Sequence, residues 1–299
     1  MIINGTSGND KLFGTSKDDF IYGLLGDDAI NGGDGNDLLE GGAGNDALDG
    51  GNNNFGKGGD TASYAKATDA VTVDLFNGTA TGGAGNDTLI NIENIIGSAF
   101  SDTLTGDFND NELYGGKGDD TLLGDLGDDI LTGGLGNDFL DGGKFGSDTV
   151  SYSDAAGAVT VNLVSGRATG GAGRDTLTGF ENITGSSYAD TLIGDDNFNV
   201  LDGGAGNDSL SGGGGFDTLN GNAGNDSLNG GDFNDRLNGG EGDDLLNGGA
   251  GGGDTADYTD VATSINVNLL TGIATGGGGN DTLLNIENIE GSFGASIRL

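Results

Sequence analysis

Cysteine, histidine, tryptophan and proline are all absent from the 299 residues. Without Cys, no disulfide can staple the chain and thiol redox chemistry is excluded. Without His, the commonest general acid–base group is missing. With no Pro and no three-residue glycine period, a collagen-like helix is excluded. No run approaches the roughly 18 apolar residues that a membrane-spanning helix needs. The opening Met1-Ile2-Ile3-Asn4-Gly5 has neither the basic region nor the apolar core of a cleaved export signal. Basic residues are scarce: 10 Lys and Arg face 48 Asp and Glu, a formal charge of -38. A field this negative repels phosphates, so nucleic acid is not an expected partner.

What is abundant is glycine, 67 residues, and aspartate, which supplies 41 of the 48 acids. Bulk acidity alone describes a disordered, solvating chain. The periodicity opposes that, because a disordered tail has no reason to place an aliphatic residue at every ninth position. From Gly203 to Asn247 the chain reads GGAGNDSLS, GGGGFDTLN, GNAGNDSLN, GGDFNDRLN and GGEGDDLLN. Gly holds position one, an acid position six and an aliphatic residue position eight. The acids are Asp208, Asp217, Asp226, Asp235 and Asp244. The first block starts its units at Gly5, Gly14, Gly23, Gly32 and Gly41, with Asp10, Asp19, Asp28, Asp37 and Asp46. The second carries Asp120, Asp129 and Asp138. Both later blocks lead with an Asn unit, at Asn111 and Asn199.

A longer segment separates the blocks and occurs three times, beginning at Asp60, Asp148 and Asp254. Tyr64, Tyr152 and Tyr258 correspond, as do Glu93, Glu181 and Glu287. The copies lie 88 and then 106 residues apart, a difference of two nonapeptides. If two units make one coil, that difference lengthens a stack without turning its face. Val71-Val73-Leu75 alternates as a half-buried strand does, an Asn77-Gly78 turn follows, and a hairpin that projects from or leans on the stack is expected. Each copy also holds a GGxGxD stretch, with Asp87, Asp175 or Asp281. INIENI and its counterparts are expected to be a wider coil or connecting strand. The resulting divisions are 1-58, 106-146 and 194-252 for the blocks, and 59-105, 147-193 and 253-299 for the segments. The last copy ends GSFGASIRL, in which Ser296 replaces the expected Asp. It reads as a polar cap or as the edge of something longer.

The unit GGxGxDxUx resembles the RTX, or hemolysin-type, calcium-binding repeat. The bottom-up reading of the residues agrees. Glycines permit tight turns and close backbone approach, and the x-U-x tail makes a short strand with one side chain inward. One aliphatic residue per nine cannot form a core alone, so the units must stack. Calcium is a hard cation taking six to eight oxygens, which glycine-rich carbonyls and one Asp can supply. The resemblance implies an all-β, right-handed parallel β-roll with Ca²⁺ between turns of successive coils. It places Asp10, Asp28 and Asp46 on one row and Asp19 and Asp37 on the other. In the third block it sets Asp208, Asp226 and Asp244 against Asp217 and Asp235. Asp120, Asp129, Asp138, Asp87, Asp175, Asp235 and Asp281 complete the candidate ligands, with Asp102 and Asp190 weaker because Phe100 and Tyr188 stand at position four. Position five is expected to hydrogen-bond backbone. An EF-hand is excluded, since its loop is twelve residues long with flanking helices.

Catalysis is not expected. Paired carboxylates are everywhere, and such abundance is no signal of a glycosidase pair at fixed separation; no nucleophile–base arrangement or phosphate-binding loop stands out. The resemblance further implies secretion through a one-step type I machine, with folding on extracellular calcium. An adhesin, surface-layer protein or polysaccharide-binding scaffold is the alternative, with the three tyrosines either a repeated binding surface or an edge cap. A pore-forming toxin lacks an apolar helix here, and ice binding lacks a continuous Thr ladder.

Overall fold

The computed structural model describes residues 1–52, 59–261, 263–291 and 296–298. Most of the loose stretch after Gly50 and most of GSFGASIRL therefore lie outside the described residues. Every regular element among those described is a β-strand. The reason is local. The tail of each unit gives three residues of extended backbone with the middle one inward, and in some units, such as Phe20–Leu25 and Ser227–Asp232, the strand runs on through the glycines. Thr121–Leu123, Thr218–Asn220 and Arg236–Asn238 each bury their central Leu completely while their flanks stay partly exposed.

The chain divides into two compact units, Met1–Asp148 and Thr149–Leu299. In the first, consecutive nonapeptides alternate between two sheets. One sheet stacks Ile2–Asn4, Phe20–Leu25, Leu38–Ala43, Thr61–Ser63, Asn94–Ile96, Glu112–Lys117 and Ile130–Leu135, all parallel. The other opens with Lys11–Phe13, Ala29–Asp34 and Ala47–Asn52, also parallel. Neighbours in a sheet are 18 residues apart, as in Leu12↔Ile30 and Ile30↔Leu48. Two nonapeptides thus make one coil, as the 88- and 106-residue offsets suggested.

The hairpin neither projects nor leans. It is built into the second sheet as a three-stranded antiparallel insert. Gly85–Ile90 pairs parallel with Ala47–Asn52 and antiparallel with Thr79–Gly82, which pairs antiparallel with Val71–Asp74. Val71–Asp74 then pairs parallel with Thr103–Thr105, and Thr121–Leu123 and Phe139–Asp141 follow. The insert keeps the edge hydrogen bonds of both flanking coils satisfied, which a projecting hairpin would leave open. Gly78 turns it with φ 62°, the left-handed conformation that the Asn-Gly pair favours. INIENI supplies the connecting strand Asn94–Ile96 in the opposite sheet.

The second unit repeats this plan. Its first sheet runs Thr149–Ser151, Asn182–Thr184, Val200–Asp202, Thr218–Asn220, Arg236–Asn238, Thr255–Tyr258 and Asn288–Gly291. Its second holds the antiparallel trio Arg174–Thr178, Arg167–Gly170 and Val159–Asn162. From there Thr191–Ile193, Ser209–Gly214, Ser227–Asp232, Leu245–Ala250 and Gly279–Leu284 stack in parallel. Ile273–Gly276 and Ile265–Asn268 form the next antiparallel insert, with Ser296–Arg298 beyond.

Between the sheets lies a column of position-eight side chains. Leu201, Leu210, Leu219, Leu228, Leu237 and Leu246 are all at most 1 % exposed. Burial of each contributes on the order of 1.5–3 kcal/mol. The three tyrosines do not form a surface. Tyr64, Tyr152 and Tyr258 are buried, which removes them as a repeated binding face.

Candidate metal centres in the turns

The position-six acids are drawn inward by the turns that carry them. Asp28, Asp37, Asp46, Asp120, Asp129, Asp138, Asp208, Asp217, Asp226, Asp235 and Asp244 are all buried, although each carries a carboxylate. Such burial costs several kcal/mol per ion unless each oxygen finds a partner. Oδ1 has one. The backbone N–H of each acid donates to Oδ1 of the acid one coil further on. Asp10 donates to Asp28, Asp28 to Asp46 and Asp46 to Asp87, at 2.7–2.9 Å. On the other side Asp19 donates to Asp37, and Asp37 to Asp60. In the second unit Asp190, Asp208, Asp226, Asp244 and Asp281 form one such ladder. Asn199, Asp217, Asp235 and Asp254 form the other. The structure therefore groups the acids into the two rows per unit anticipated from the repeat.

Oδ2 is different. In Asp28, Asp37, Asp46, Asp120, Asp129, Asp208, Asp217, Asp226, Asp235, Asp244 and Asp254 it is buried with no hydrogen-bond partner. Each of these oxygens points at the bare Cα of the position-one glycine of its own unit. A Cβ on Gly115 would stand 2.5 Å from Asp120 Oδ2 and 2.6 Å from the carbonyl oxygen of Gly133, one coil on. At Gly203 the same atoms are Asp208 Oδ2 at 2.6 Å and Gly221 O at 2.9 Å. A carboxylate oxygen and a glycine carbonyl oxygen of successive coils thus converge on a space that only glycine leaves open. Among the described residues no three acidic or thiol groups converge on one point, so a cation here must draw on carbonyls. One carboxylate with several carbonyls is a hard-oxygen donor set of the kind calcium takes.

The electrostatics carry the same mark. Burial pushes Asp129 and Asp217 up to about 7. It pushes Asp46, Asp120, Asp208, Asp235 and Asp244 up to about 6. Asp37 and Asp226 are raised by the same cause. The ladder N–H and its dipole favour the ionised form, but desolvation outweighs them in the absence of a cation.

Not every candidate is of this kind. Asp10 Oδ2 accepts the Thr6 N–H at 2.6 Å and the Thr6 hydroxyl at 2.8 Å. Asp19 Oδ2 accepts the same pair from Thr15, while its Oδ1 meets the Met1 ammonium at 2.5 Å. Asp102 and Asp190 are bonded by the N–H and hydroxyl of Ser98 and Ser186. At the other end, Asp175 Oδ2 accepts the Tyr152 hydroxyl at 3.0 Å and Asp281 Oδ2 that of Tyr258 at 2.8 Å. Tyr64 is buried beside Asp87; burial first, then the Asp87 charge, pushes its hydroxyl well above the usual range.

Sequence reasoning passed over Asp60, Asp148 and Asp254, which open the three segments. All three are buried, and they extend the second row by accepting the Asp37, Asp129 and Asp235 N–H. Glu93 and Glu287 follow them, accepting from Asp60 and Asp254. The signal was present, since an Asp-Thr pair opens every copy, but the spacing breaks the nine-residue count. Position five behaves as expected and reaches further. Its side chain accepts the backbone N–H of the next coil, as Asn207 does from Asn225 and Asn225 from Asp243.

The RTX calcium-binding nonapeptide repeat model matches residues 4–39, 25–54, 74–90, 91–122, 114–150, 166–181, 184–219 and 220–254, well over half of the chain. The chain belongs to that family. Its repeats bind calcium and are structural rather than catalytic. No curated protein matches the chain at a significant level.

Proposed function

We propose that this RTX protein is a secreted β-roll whose stacked coils are completed by calcium ions held in the turns. The observation that carries this is the row of buried, unpartnered Oδ2 atoms, most of them converging with a glycine carbonyl of the next coil on the space beside a position-one glycine. A cation satisfies both oxygens and removes the repulsion between acids stacked one coil apart. The ligand carboxylates in this reading are Asp28, Asp37, Asp46, Asp120, Asp129, Asp138, Asp208, Asp217, Asp226, Asp235 and Asp244. Asp87 closes one row in the first unit and Asp281 one in the second; Asp175 holds the same place in its own segment. The six-part division at 58, 105, 146, 193 and 252 then separates calcium-filled blocks from the segments between them. Calcium supplies charge neutralisation and cross-coil coordination when bound. The protein supplies the ladder that holds Oδ1 and so aims Oδ2. A right-handed roll, type I export and folding after release follow as parts of the same proposal, because a chain this acidic resists folding where calcium is scarce.

Asp226→Ala against Asp232→Ala tests the ligand assignment. Asp226 is buried and in the ladder, whereas Asp232 is exposed. Asp226→Ala is expected to lose one ion by calorimetry and to destabilise the calcium form by roughly 1–3 kcal/mol or more. Asp232→Ala is expected to stay within about 0.5 kcal/mol of the parent. Equal effects would remove the assignment.

One observation favours a second role as a surface-binding scaffold. In the first unit Phe76 and Phe108 meet edge to face at 5.0 Å, and both are largely exposed. Together with Phe145, Asp125, Asp141 and Lys144 they line a shallow cleft, which offers aromatic faces and hydrogen-bonding groups to a saccharide. Val164 and Leu270 are equally exposed at the corresponding corners.

A further inference from the structure

The acids of one row are not equivalent, and position two of the unit sorts them. Where Oδ2 is unpartnered, position two lies in the left-handed region. It is usually Gly, as at Gly116 (φ 107°) and Gly213 (φ 108°). At Leu24 (φ 83°), Asp125 (φ 74°) and Asn222 (φ 70°) other residues adopt the same conformation, which costs of order 1–3 kcal/mol without compensation. Keeping it at three non-glycine positions shows how firmly the turn requires it.

Six turns lack it. Their position-two residues are Thr6, Thr15, Ser98, Asp107, Ser186 and Asp195, and none has positive φ. In each the position-two N–H swings inward and donates to the position-six side chain. The acceptors are Asp10, Asp19, Asp102 and Asp190 at 2.5–2.6 Å, and Asn111 and Asn199 at 2.7–2.8 Å. Thr or Ser adds its hydroxyl. At Asn111 and Asn199 the acceptor is neutral, and the amide also donates to the carbonyl of Glu93 or Glu181 at 2.8 Å. In the four Asp turns the oxygen is also drawn back from the glycine, where a Cβ on Gly97, Gly185, Gly5 or Gly14 would stand 2.7, 2.8, 3.0 or 3.1 Å from Oδ2, whereas the Asn111 and Asn199 oxygens stay at 2.3 and 2.2 Å.

These turns occur in pairs: Gly5 with Gly14, Gly97 with Gly106, Gly185 with Gly194. Each pair is one complete coil, and each leads a run of unpartnered turns. Resting on the calcium reading above, we infer that these three leading coils bind no calcium. The protein's own N–H and hydroxyl groups occupy the place of the ion, and the position-two residue decides which state a turn takes. Each leading coil is therefore complete before any metal arrives. It presents the following coil with a formed strand edge and an acid N–H already aimed at the next Oδ1, as Asp190 does for Asp208. Calcium fills the interior turns against this template.

The test compares Asp190→Asn with Asp208→Asn in the full chain, counting bound ions by native mass spectrometry at saturating calcium. In Asp208→Asn the amide oxygen keeps the ladder bond from the Asp190 N–H, whereas in Asp190→Asn it keeps only one of the two backbone bonds, from Val159 to Oδ1 or from Ser186 to Oδ2. Asp190→Asn is expected to keep the parental ion count, because Asn199 already fills the matching place in the opposite row with a neutral side chain. Asp208→Asn is expected to lose one ion and to move the midpoint to higher calcium. Loss of an ion from Asp190→Asn overturns the inference. If Asp208→Asn also loses none, the calcium assignment itself fails. Ser186→Gly removes the hydroxyl and frees the turn to flip, and is expected to gain one ion. An unchanged count would overturn the role of position two.

Discussion

Chelated at pH 7.5, the protein is expected to show the circular dichroism of a largely open chain, and addition of calcium to convert it cooperatively to β-structure. The cause lies in the turns. Interior coils such as those of Asp28 with Asp37, Asp120 with Asp129 and Asp208 with Asp217 bury two carboxylates whose Oδ2 has no protein partner, stacked above and below other acids in a chain of formal charge -38. One position-eight aliphatic side chain per unit is the only apolar return. Without a cation the cheapest escape is to expose the acids to water, and that opens the coil. Each bound ion adds about 2.7 kcal/mol once calcium reaches a hundredfold excess over its Kd, and neighbouring coils share ligands, so filling propagates. For an extracellular module the midpoint is expected at roughly 10⁻⁴–10⁻³ M. Magnesium is not expected to substitute, because it demands a small, near-octahedral shell and gives up its water reluctantly. A chelated protein already rich in β-structure, with the same thermal midpoint as the calcium form, would show that the acids are satisfied without metal. Calcium-driven folding would then be wrong.

Acid is expected to do part of what calcium does, and in the opposite direction from most proteins. Seven ladder carboxylates are raised from 3.8 to about 6 or 7 by burial. Their folded pKa values lie above the unfolded ones, so the metal-free folded chain binds more protons than the unfolded chain between about pH 4 and pH 7. Stability must then fall as pH rises through that window. It is fully present below about pH 4 with respect to these groups and lost above about pH 7. Each pH unit of separation is worth a factor of about ten in the folding equilibrium per carboxylate. Circular dichroism of the chelated protein is expected to show more β-structure at pH 4.5 than at pH 7.5. The same linkage makes protons compete with calcium, so the calcium midpoint is expected to climb as pH falls from 7.5 to 5.5. A chelated protein more stable at pH 7.5 than at pH 4.5 would contradict the burial of unpartnered oxygens.

The sequence by itself determined the repeating parts. Nine residues with Gly at one, Asp at six and an aliphatic residue at eight force a turn, a buried acid and an inward side chain, because each feature acts within a single unit. The 18-residue difference between segment offsets agrees with two units per coil, which the resemblance implied, because stacking must preserve the face. Position-six residues such as Asp217 and Asp226 were legible in this way. The tertiary structure alone decided what depends on the neighbouring coil. It set the antiparallel trio at 71–90 into the sheet, because the open edges of two coils have to be closed. It buried Tyr152 and Tyr258 against Asp175 and Asp281, a pairing across 23 residues that no local period announces. It recruited Asp60, Asp148 and Asp254, whose spacing departs from nine while their ladder geometry does not. It also separated Asp190 from Asp208, which hold the same sixth place in GSSYAD and GGAGND, by the direction of one backbone N–H. A residue type fixes which groups a turn carries; only the packed neighbour determines which of them are left without a partner.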